Sequence, residues 1–347
     1  MSDLTVLGQD PRYGGGAAAQ MNAFLDGART LGRDPELVYV PHPTFDGRAR
    51  TPDRIEAWRV GRARLPLRAP LWAVATTAHH AAPALHAGVP YDAWIGASLR
   101  DEWRGRRRGL STSRHAALLL NAPPLLALER RVLRRARRLF ATSAWSRRTL
   151  AEAAALDEYE VGVLPLPVHV ETFTPEPDDA WLARLATPVL AFVGRANDPR
   201  KNVALLLDAA AQLPGVRVRL IGEPPDLQLP ENVEATGRVA SVAEHLRTAS
   251  LCVLPARQEG FGIAAAEALA CGVPVIATPS GGPEELIRAS HGGRVLTGWS
   301  ADELAGACRE LLDDVATLAA LRRDGRAYVV AEHSTERFRE RLAALID

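Results

Sequence analysis

The sequence predicts an α/β protein made of two doubly wound domains, each built on a parallel sheet. Its 347 residues are enough for about two domains that each bury a core. Short apolar runs alternate with segments of helical periodicity, which is the pattern of a doubly wound sheet. Prolines recur between residues 163 and 188 and predict a passage between domains. We expect domains at residues 1–170 and 171–332, followed by a terminal segment at 333–347.

In the first half, apolar runs next to glycine, proline or polar residues predict strands, and one-sided apolar periodicity predicts helices. After Phe140 and Ala141, Ser143 is placed to cap a further helix. The predicted strands are Leu4–Gly8, Leu37–Val40, Leu71–Thr76 and Tyr91–Gly96, and the predicted helices are Ala17–Leu31 and Leu125–Phe140.

The second half repeats the strand and helix alternation in a more regular form. The predicted strands are Val189–Val193, Val216–Gly222, Val233–Gly237, Leu251–Leu254, Val273–Ala277 and Arg294–Leu296. The predicted helices are Val203–Leu213, a short one from Ser241 to Ala249, one ending near Ala270, one opening at Gly281, and two terminal ones at Ala301–Leu312 and Val315–Glu332.

Bulk composition excludes several classes of protein. Lys plus Arg number 42 against 41 Asp plus Glu, and no nucleic-acid-reading motif is present, so nucleic-acid binding has no support. Cys252, Cys271 and Cys308 lack metal-ligand spacing and are expected to be buried thiols in a reducing compartment. No signal peptide and no run of 18 apolar residues occurs, so we expect a cytoplasmic protein.

Two glutamates in the second half lie where a strand gives way to a helix. Glu259 follows the strand Leu251–Leu254, and Glu267, which seven residues separate from it, lies in an alanine-rich helix. Backbone N–H groups at such a helix start attract anions, while carboxylates accept hydrogen bonds from sugar hydroxyls. The combination suits a sugar attached to phosphates. The alternative interpretation is a charge at a helix end and a solvated helix residue.

The segment Glu259-GFGIAAA-Glu267 resembles the donor-site signature of retaining GT-B glycosyltransferases of family 4. That resemblance implies two Rossmann-like domains facing a central cleft, with the last helix returning to the first domain. It also implies that Glu259 holds hydroxyls of the transferred sugar and Glu267 holds the nucleotide ribose. The backbone of Gly260, Phe261, Gly262 and Ile263 would then meet the sugar and the diphosphate.

A basic loop follows the first strand of the second domain. Gly194-Arg195 ends that strand, and Lys201 stands just before the next helix. In the resembled family, residues at the positions of Arg195 and Lys201 bind the donor diphosphate. Their charges would stabilise the negative charge that develops there when the anomeric bond breaks. The resemblance also places Arg238 and Val239 beside the nucleotide base.

The first half carries a glycine-rich loop and a pair of histidines. The loop Pro11–Gly16 joins a strand to a helix, and Gly15 and Gly16 let a phosphate approach the backbone. Its spacing is not that of a dinucleotide site. His79 and His80 follow a strand's carboxyl end, where α/β sheets bind ligands. The resemblance implies that one of them lies near the sugar's primary hydroxyl. The residues do not decide between them, although His80 is slightly favoured.

The predicted helix at residues 125–140 is amphipathic and strongly basic. Leu125, Leu128 and Val132 share its apolar face, and arginines occupy the rest. A solvated helix is the first interpretation. Peripheral contact with anionic lipid at the inner face of a membrane is the second.

These observations lead to one expected function and two alternatives. The expected function is metal-independent, retaining transfer of a sugar from a UDP-glucose or GDP-mannose type donor to a sugar, lipid-linked or small-molecule acceptor. The sequence has no Asp-x-Asp metal pair, no cofactor is expected, and Arg195 and Lys201 can stabilise the leaving group. The alternatives are a nucleotide-sugar epimerase of the same architecture and a catalytically silent nucleotide-sugar binding protein.

Overall fold

The computed structural model describes residues 2–10, 12, 14–41, 59–106 and 112–346. The chain divides into two compact units, Met1–Leu166 with Phe338–Asp347 and Pro167–Arg337. Within the described residues, each unit holds one six-stranded sheet whose paired strands are all parallel. Helices connect these strands in both units, so the predicted α/β class with two doubly wound sheets is confirmed.

The sheet of the first unit has the order β2-β1-β3-β4-β5-β6. Chain order reverses between β1 and β3, because β2 lies on the far side of β1. The strands are β1 (Leu4–Gly8), β2 (Pro35–Tyr39), β3 (Leu71–Thr77), β4 (Asp92–Ala97), β5 (Leu139–Ala141) and β6 (Val161–Val163). The described helices are α1 (Gly15–Thr30), α2 (Ala82–Ala87), α3 (Leu99–Arg106), α4 (Thr112–Arg135) and α5 (Ala144–Ala154).

Aromatic side chains organise the core on one face of this sheet. Phe24 of α1 lies 5.0 Å from Trp72 and 6.3 Å from Trp94, measured between ring centroids. Phe338, from the carboxyl-terminal segment of the same unit, stacks on Trp94 at 5.5 Å. The apolar face of α1 is buried as its periodicity predicts, because these positions recur at helical spacing over the sheet.

The basic helix differs from its predicted bounds of 125–140. Helix α4 begins at Thr112 and ends at Arg135, and its interior includes Pro123 and Pro124. Phe140 lies in strand β5 instead, paired with Trp94 of β4. Helical periodicity alone did not mark this end, since the basic run continues past the last helical residue.

A buried carboxylate explains where the helix stops. Asp92, at the start of β4, is fully buried, and its Oδ2 accepts hydrogen bonds from the Nη2 atoms of Arg137 and Arg138, both at 2.8 Å. A buried carboxylate is costly without a partner, and the two arginines just beyond the end of the helix supply these partners. Arg137 and Arg138, which the predicted helix 125–140 included, therefore belong to a connecting loop.

The sheet of the second unit has the order β12-β11-β10-β7-β8-β9. Its strands are β7 (Val189–Val193), β8 (Arg217–Ile221), β9 (Val233–Gly237), β10 (Leu251–Leu254), β11 (Val275–Ala277) and β12 (Gly293–Val295). Its helices are α6 (Asp178–Arg184), α7 (Val203–Ala210), α8 (Val242–Arg247), α9 (Ile263–Ala270), α10 (Gly282–Ser290), α11 (Ala301–Asp313) and α12 (Val315–His333), and α13 (Thr335–Ala343) leads into the first unit's segment. Helix α7 ends three residues before the predicted Leu213.

The cysteines of the second unit lie inside its packed structure, as predicted. Cys252, Cys271 and Cys308 are buried free thiols. Burial raises the pKa of each thiol to about 12, because the thiolate would lose its hydration. They act as small apolar side chains of the core.

Among the described helices, none combines the length and apolar character that a bilayer crossing requires.

The edge pair β11 and β12 tolerates no side chain at one position. Gly293 pairs with Val275, and a Cβ at residue 293 would lie 1.9 Å from the Val275 carbonyl oxygen. The strands must therefore separate to accommodate even a methyl group. Gly298, in the loop after β12, has no atom within 4 Å of its Cβ position.

We expect Gly293→Ala to lower the free energy of unfolding of the second unit by about 2 kcal/mol or more, the usual cost of overpacking. The matched change Gly298→Ala is expected to stay within about 0.5 kcal/mol of the unchanged protein. Urea unfolding followed by circular dichroism measures both. Equal midpoints for the two variants would contradict the close approach of the strands.

Candidate functional site

The second sheet reverses its strand order between β7 and β10. From β7 the chain adds β8 and β9 on one side, and then crosses to add β10, β11 and β12 on the other. The connections at the carboxyl ends of β7 and β10 therefore diverge and leave a crevice, which is where open α/β sheets bind ligands. Both clusters of residues predicted for the site follow these two strands.

Lys201 and Glu259 meet across this crevice. Asp198 caps a single 3-10 turn, Pro199–Lys201, by accepting a hydrogen bond from the backbone N–H of Arg200 at 3.0 Å. The turn directs Lys201 so that its Nζ donates to Oε1 of Glu259. Their side chains are only 20% and 17% exposed, so solvent screens the pair less than a surface ion pair. An ammonium and a carboxylate are thus held side by side at the switch of strand order.

Arg195 lies at the mouth of the same crevice. Its side chain is half exposed, and its nearest acidic partner is Oδ2 of Asp198 at 3.5 Å. That distance is at the limit of a hydrogen bond, so the contact is weak. The preceding Gly194 continues β7, because its N–H donates to the Ile221 carbonyl of β8. The guanidinium can therefore turn towards an anion without breaking a strong bond.

Backbone hydrogen bonds hold Glu259 in place. Its N–H donates to the Ser280 carbonyl at 2.8 Å, and its own carbonyl accepts from the Gly282 N–H at 3.0 Å. This isolated parallel bridge pairs residue 259 with Gly281. A Cβ at position 282 would lie 2.4 Å from the Gly260 carbonyl oxygen, so the two loops are in direct backbone contact. These backbone contacts fix the position from which the Glu259 carboxylate extends.

The amino end of helix α9 faces the site without a side-chain cap. Gly262 is its N-cap residue, with φ of +84°, and it supplies no capping side chain. A Cβ there would also lie 2.6 Å from Cγ of Pro283. Phe261 is buried and packs edge-on against His333 at 5.4 Å. The first N–H groups of the helix, those of Ile263 and Ala264, can donate hydrogen bonds to an anion.

Glu267 lies one turn further along α9, on the same helix face as Ile263. Burial raises its pKa to about 7, because the carboxylate loses hydration. Both protonation states are therefore populated near neutral pH. A carboxylate poised in this way is sensitive to any ligand that donates hydrogen bonds to it.

Arg238 and Val239 lie at the carboxyl end of β9, two strands away from β7. Arg238 is exposed and Val239 is half buried. In the described part of the chain, no hydrogen bond or ion pair joins them to Lys201 or Glu259. They border the outer part of the same sheet edge.

In the first unit, the glycine residues start a helix. Gly15 and Gly16 are the first residues of α1, which begins two residues before the predicted Ala17. Both are exposed, and Gly14 provides no capping side chain. This uncapped amino end follows β1, at the point where the first sheet changes strand order. Pro11 and Tyr13 of the predicted loop lie outside the described residues.

The two histidines belong to one hydrogen-bonded network after β3. Gln9 Oε1 accepts from the N–H and the hydroxyl of Thr76, at 3.3 and 3.0 Å. Its Nε2 must then donate to Nε2 of His80, 3.1 Å away, so His80 carries its proton on Nδ1. The Thr77 hydroxyl lies between Nδ1 of His80 (3.3 Å) and Nδ1 of His79 (3.1 Å).

Burial determines the charge of His79. It lowers the pKa of His79 to about 4, so the ring is neutral at physiological pH. Nδ1 of His79 shares a hydrogen bond with the Thr77 hydroxyl, while Nδ1 of His80 lies near both that hydroxyl and the Thr77 carbonyl oxygen, at 3.3 and 3.4 Å. The rings of His79 and His80 lie 4.0 Å apart. His79 is thus a neutral ring beside His80 in this network.

Two residues that sequence reasoning missed connect the loops of the second unit. Asn202 Nδ2 donates to the Pro255 carbonyl at 3.1 Å, and Arg257 Nη2 donates to Asn202 Oδ1 at 2.8 Å. The sequence carried one usable signal for this region, because Lys201 is the only lysine of the whole sequence.

Among the described residues, no group of three or more His, Cys, Asp or Glu side chains could hold a metal ion.

Part of the chain is similar in sequence to known glycosyltransferases. The sequence model of glycosyl transferases group 1 matches residues 187–314. D-inositol 3-phosphate glycosyltransferase of Mycolicibacterium smegmatis is 31% identical over 248 residues, covering 63% of this chain. The chain spans 57% of that relative's length.

Solved structures match over nearly the whole chain. Sucrose-phosphate synthase from Thermosynechococcus elongatus has a TM-score of 0.78 at 18% identity and covers 99% of this chain and 98% of its own. Anabaena Alr3699/HepE in complex with UDP-glucose has a TM-score of 0.70 at 17% identity and covers 99% of both chains. The chain therefore has the GT-B fold, and its residues 187–314 match the sequence model of glycosyl transferases group 1.

Proposed function

We propose that this protein transfers a sugar from a nucleotide-diphosphate sugar to an acceptor hydroxyl, with retention at the anomeric carbon. The observation that carries the proposal is the meeting of Lys201 and Glu259 beside the uncapped start of α9. A cation, a carboxylate and open N–H groups in one crevice match the parts of a sugar diphosphate. The proposal is supported by the match to the glycosyl transferases group 1 model and by the similarity to a glycosyltransferase.

Each part of the donor has a partner in this proposal. The diphosphate binds Arg195, Lys201 and the N–H groups of residues 260–263, while Glu259 accepts hydrogen bonds from sugar hydroxyls. Glu267 accepts from the ribose, and Arg238 with Val239 borders the base. Binding would exchange the contact between Lys201 and Glu259 for contacts with phosphate and sugar. That exchange costs little, because each charge gains a new partner as it loses the old one.

The proposed chemistry needs no covalent intermediate. The acceptor oxygen forms a bond to the anomeric carbon on the face that the diphosphate leaves. The bond between that carbon and the phosphate oxygen breaks, and its electron pair stays on the diphosphate. A donor phosphate oxygen takes the acceptor's proton. Arg195 and Lys201 stabilise the charge on the leaving group and so act mainly in the transition state. These side chains would perform this step without a metal ion.

The donor class proposed is UDP-glucose or GDP-mannose. The UDP-sugar alternative has specific support, since Alr3699/HepE was solved with UDP, with UDP and glucose, and with UDP-glucose. The acceptor is a sugar, a lipid-linked compound or another small molecule with a hydroxyl group. D-inositol 3-phosphate is a reasonable first probe because it appears in the name of a relative.

We assign the histidines and the glycine residues of the first unit to substrate binding. His79 can share a hydrogen bond with a substrate hydroxyl, and the Thr77 hydroxyl connects its ring to His80. The amino end of α1, at Gly15 and Gly16, can meet a phosphate. Peripheral membrane contact through α4 stays a prediction, based on the exposed Arg130, Arg131, Arg134 and Arg135.

Radiolabelled donors test the function and separate it from its alternatives. UDP-glucose and GDP-mannose, labelled in the sugar, are incubated with D-inositol 3-phosphate and with an acceptor mixture. Label in a new glycoside supports transfer. Conversion of the sugar without an acceptor would indicate an epimerase, and tight nucleotide binding with no turnover would indicate a silent binding protein. A thermal-shift panel ranks the donors beforehand, since a ligand at 100 times its Kd stabilises by about 2.7 kcal/mol.

Lys201→Met is expected to lower kcat about 100–1000-fold, because it removes a charge that stabilises the departing diphosphate. Steady-state kinetics of sugar transfer measure the loss. Arg217→Met is the matched control, since Arg217 is an exposed cation at the amino end of β8, away from the site. Near-normal kcat in Lys201→Met with a normal melting temperature would remove Lys201 from the mechanism.

Donor binding is expected to weaken as pH falls from 8 to 6. The pKa of Glu267 is raised to about 7, so lowering the pH through this value protonates the carboxylate that would accept the ribose hydroxyls. Only about a tenth of the groups stay ionised one unit below the pKa, which allows up to about a tenfold rise in Kd. Titration calorimetry with UDP at several pH values measures it. Glu267→Gln should bind weakly at every pH, and an unchanged pH profile in this variant would refute the assignment.

A further inference from the structure

We infer that Asn202 is a positioning residue that holds Lys201 and Glu259 together across the crevice. The inference rests on the proposed function for its catalytic meaning, but its structural claim stands on contacts within the second unit. Nothing in the similarity to known proteins assigns a role to this residue.

The conformation of Asn202 is the first reason. It has φ of +51° and ψ of +41°, which only glycine and a few polar residues such as asparagine adopt easily. It stands at the N-cap of α7, where an asparagine side chain ordinarily accepts from the N–H groups of its own helix. Here the side chain makes no such capping bond. The side chain instead bonds to residues far along the chain.

The direction of its bonds is the second reason. The Nδ2 atom faces the carbonyl of Pro255, which can only accept, and Oδ1 faces the guanidinium of Arg257, which can only donate. Only one orientation of the amide satisfies both. Both partners lie in the loop after β10, more than 50 residues along the chain. Asparagine fits this bridge because it combines a donor and an acceptor on one short, planar group.

The location of the bridge is the third reason. Arg257 N–H also donates to the Arg200 carbonyl at 2.7 Å, so the residues on both sides of Lys201 are tied to the loop that leads to Glu259. The backbone of Lys201 therefore cannot move relative to the loop that leads to Glu259 without breaking one of these bonds. Misplacing a catalytic group by about 1 Å can cost on the order of 100-fold in rate. The bridge sets a distance on which the proposed chemistry depends.

The test replaces Asn202 by glycine. Asn202→Gly keeps the backbone conformation, since glycine adopts positive φ without strain, and removes both side-chain bonds. We expect kcat for sugar transfer to fall at least about tenfold, with a smaller change in the donor KM. Combined with Lys201→Met, the change should add little further loss, because the residue acts through Lys201.

A second readout does not depend on activity. Because Lys201 is the only lysine, protein labelled with ¹⁵N-lysine gives a single side-chain ammonium resonance. In the unchanged protein we expect that resonance to be protected from exchange by the contact with Glu259. In Asn202→Gly it should broaden or disappear at the same pH and temperature.

A structural control separates positioning from general weakening of the fold. Asn232 donates to the carbonyls of Ala210, Leu213 and Val216 at the far end of α7. Asn232→Ala should lower the melting temperature while leaving the Lys201 resonance in place. An unchanged resonance and an unchanged kcat in Asn202→Gly would overturn the inference. If the unchanged protein transfers no sugar from any donor, the proposed function fails, and the resonance alone decides whether the bridge exists.

Discussion

The structure of the candidate site depends on one opposed pair of charges held where a parallel sheet changes its strand order. Lys201 and Glu259 are 58 positions apart in the sequence and hydrogen-bonded in the fold. Each neutralises the other while partly shielded from water, so neither requires a ligand for the loop to keep its shape. A sugar diphosphate brings both an anion and a set of hydroxyls. It is thus the type of molecule that can take up both charges at once.

Helix α9 extends this electrostatic arrangement. Its amino end is uncapped and faces the crevice, whereas cations bind the backbone around its carboxyl end. Arg322 donates to the Gly272 carbonyl at 3.1 Å, and Arg326 donates to the carbonyl of Ala270. These arginines stabilise the negative end of the helix dipole. The positive end remains available to an anion, which favours binding without a further side chain.

The one lysine among so many arginines has a physical explanation in this site. Gly194 lies beside the aliphatic part of Lys201, since a Cβ built at residue 194 would be 3.5 Å from the lysine Cε. A compact ammonium on a flexible stem can reach Glu259 past this glycine, and its three donors can be shared between carboxylate and phosphate. A guanidinium is planar and wider, and it directs its donors along a fixed fork. Arg137 and Arg138, by contrast, bind the buried carboxylate of Asp92.

The sequence by itself determined the α/β class, the two halves, most of the strands and the identity of the residues around the crevice. It could do so because strand and helix periodicity is local, and because the segment from Glu259 to Glu267 is short. The tertiary structure alone decided which of these residues meet. It paired Lys201 with Glu259, recruited Asn202 as a bridge, ended α4 at Arg135 to neutralise Asp92, and set the protonation of His79 and Glu267. Such features depend on distances across a sheet and on loss of hydration. Neither quantity can be read from local sequence patterns, because both arise only when distant segments pack together.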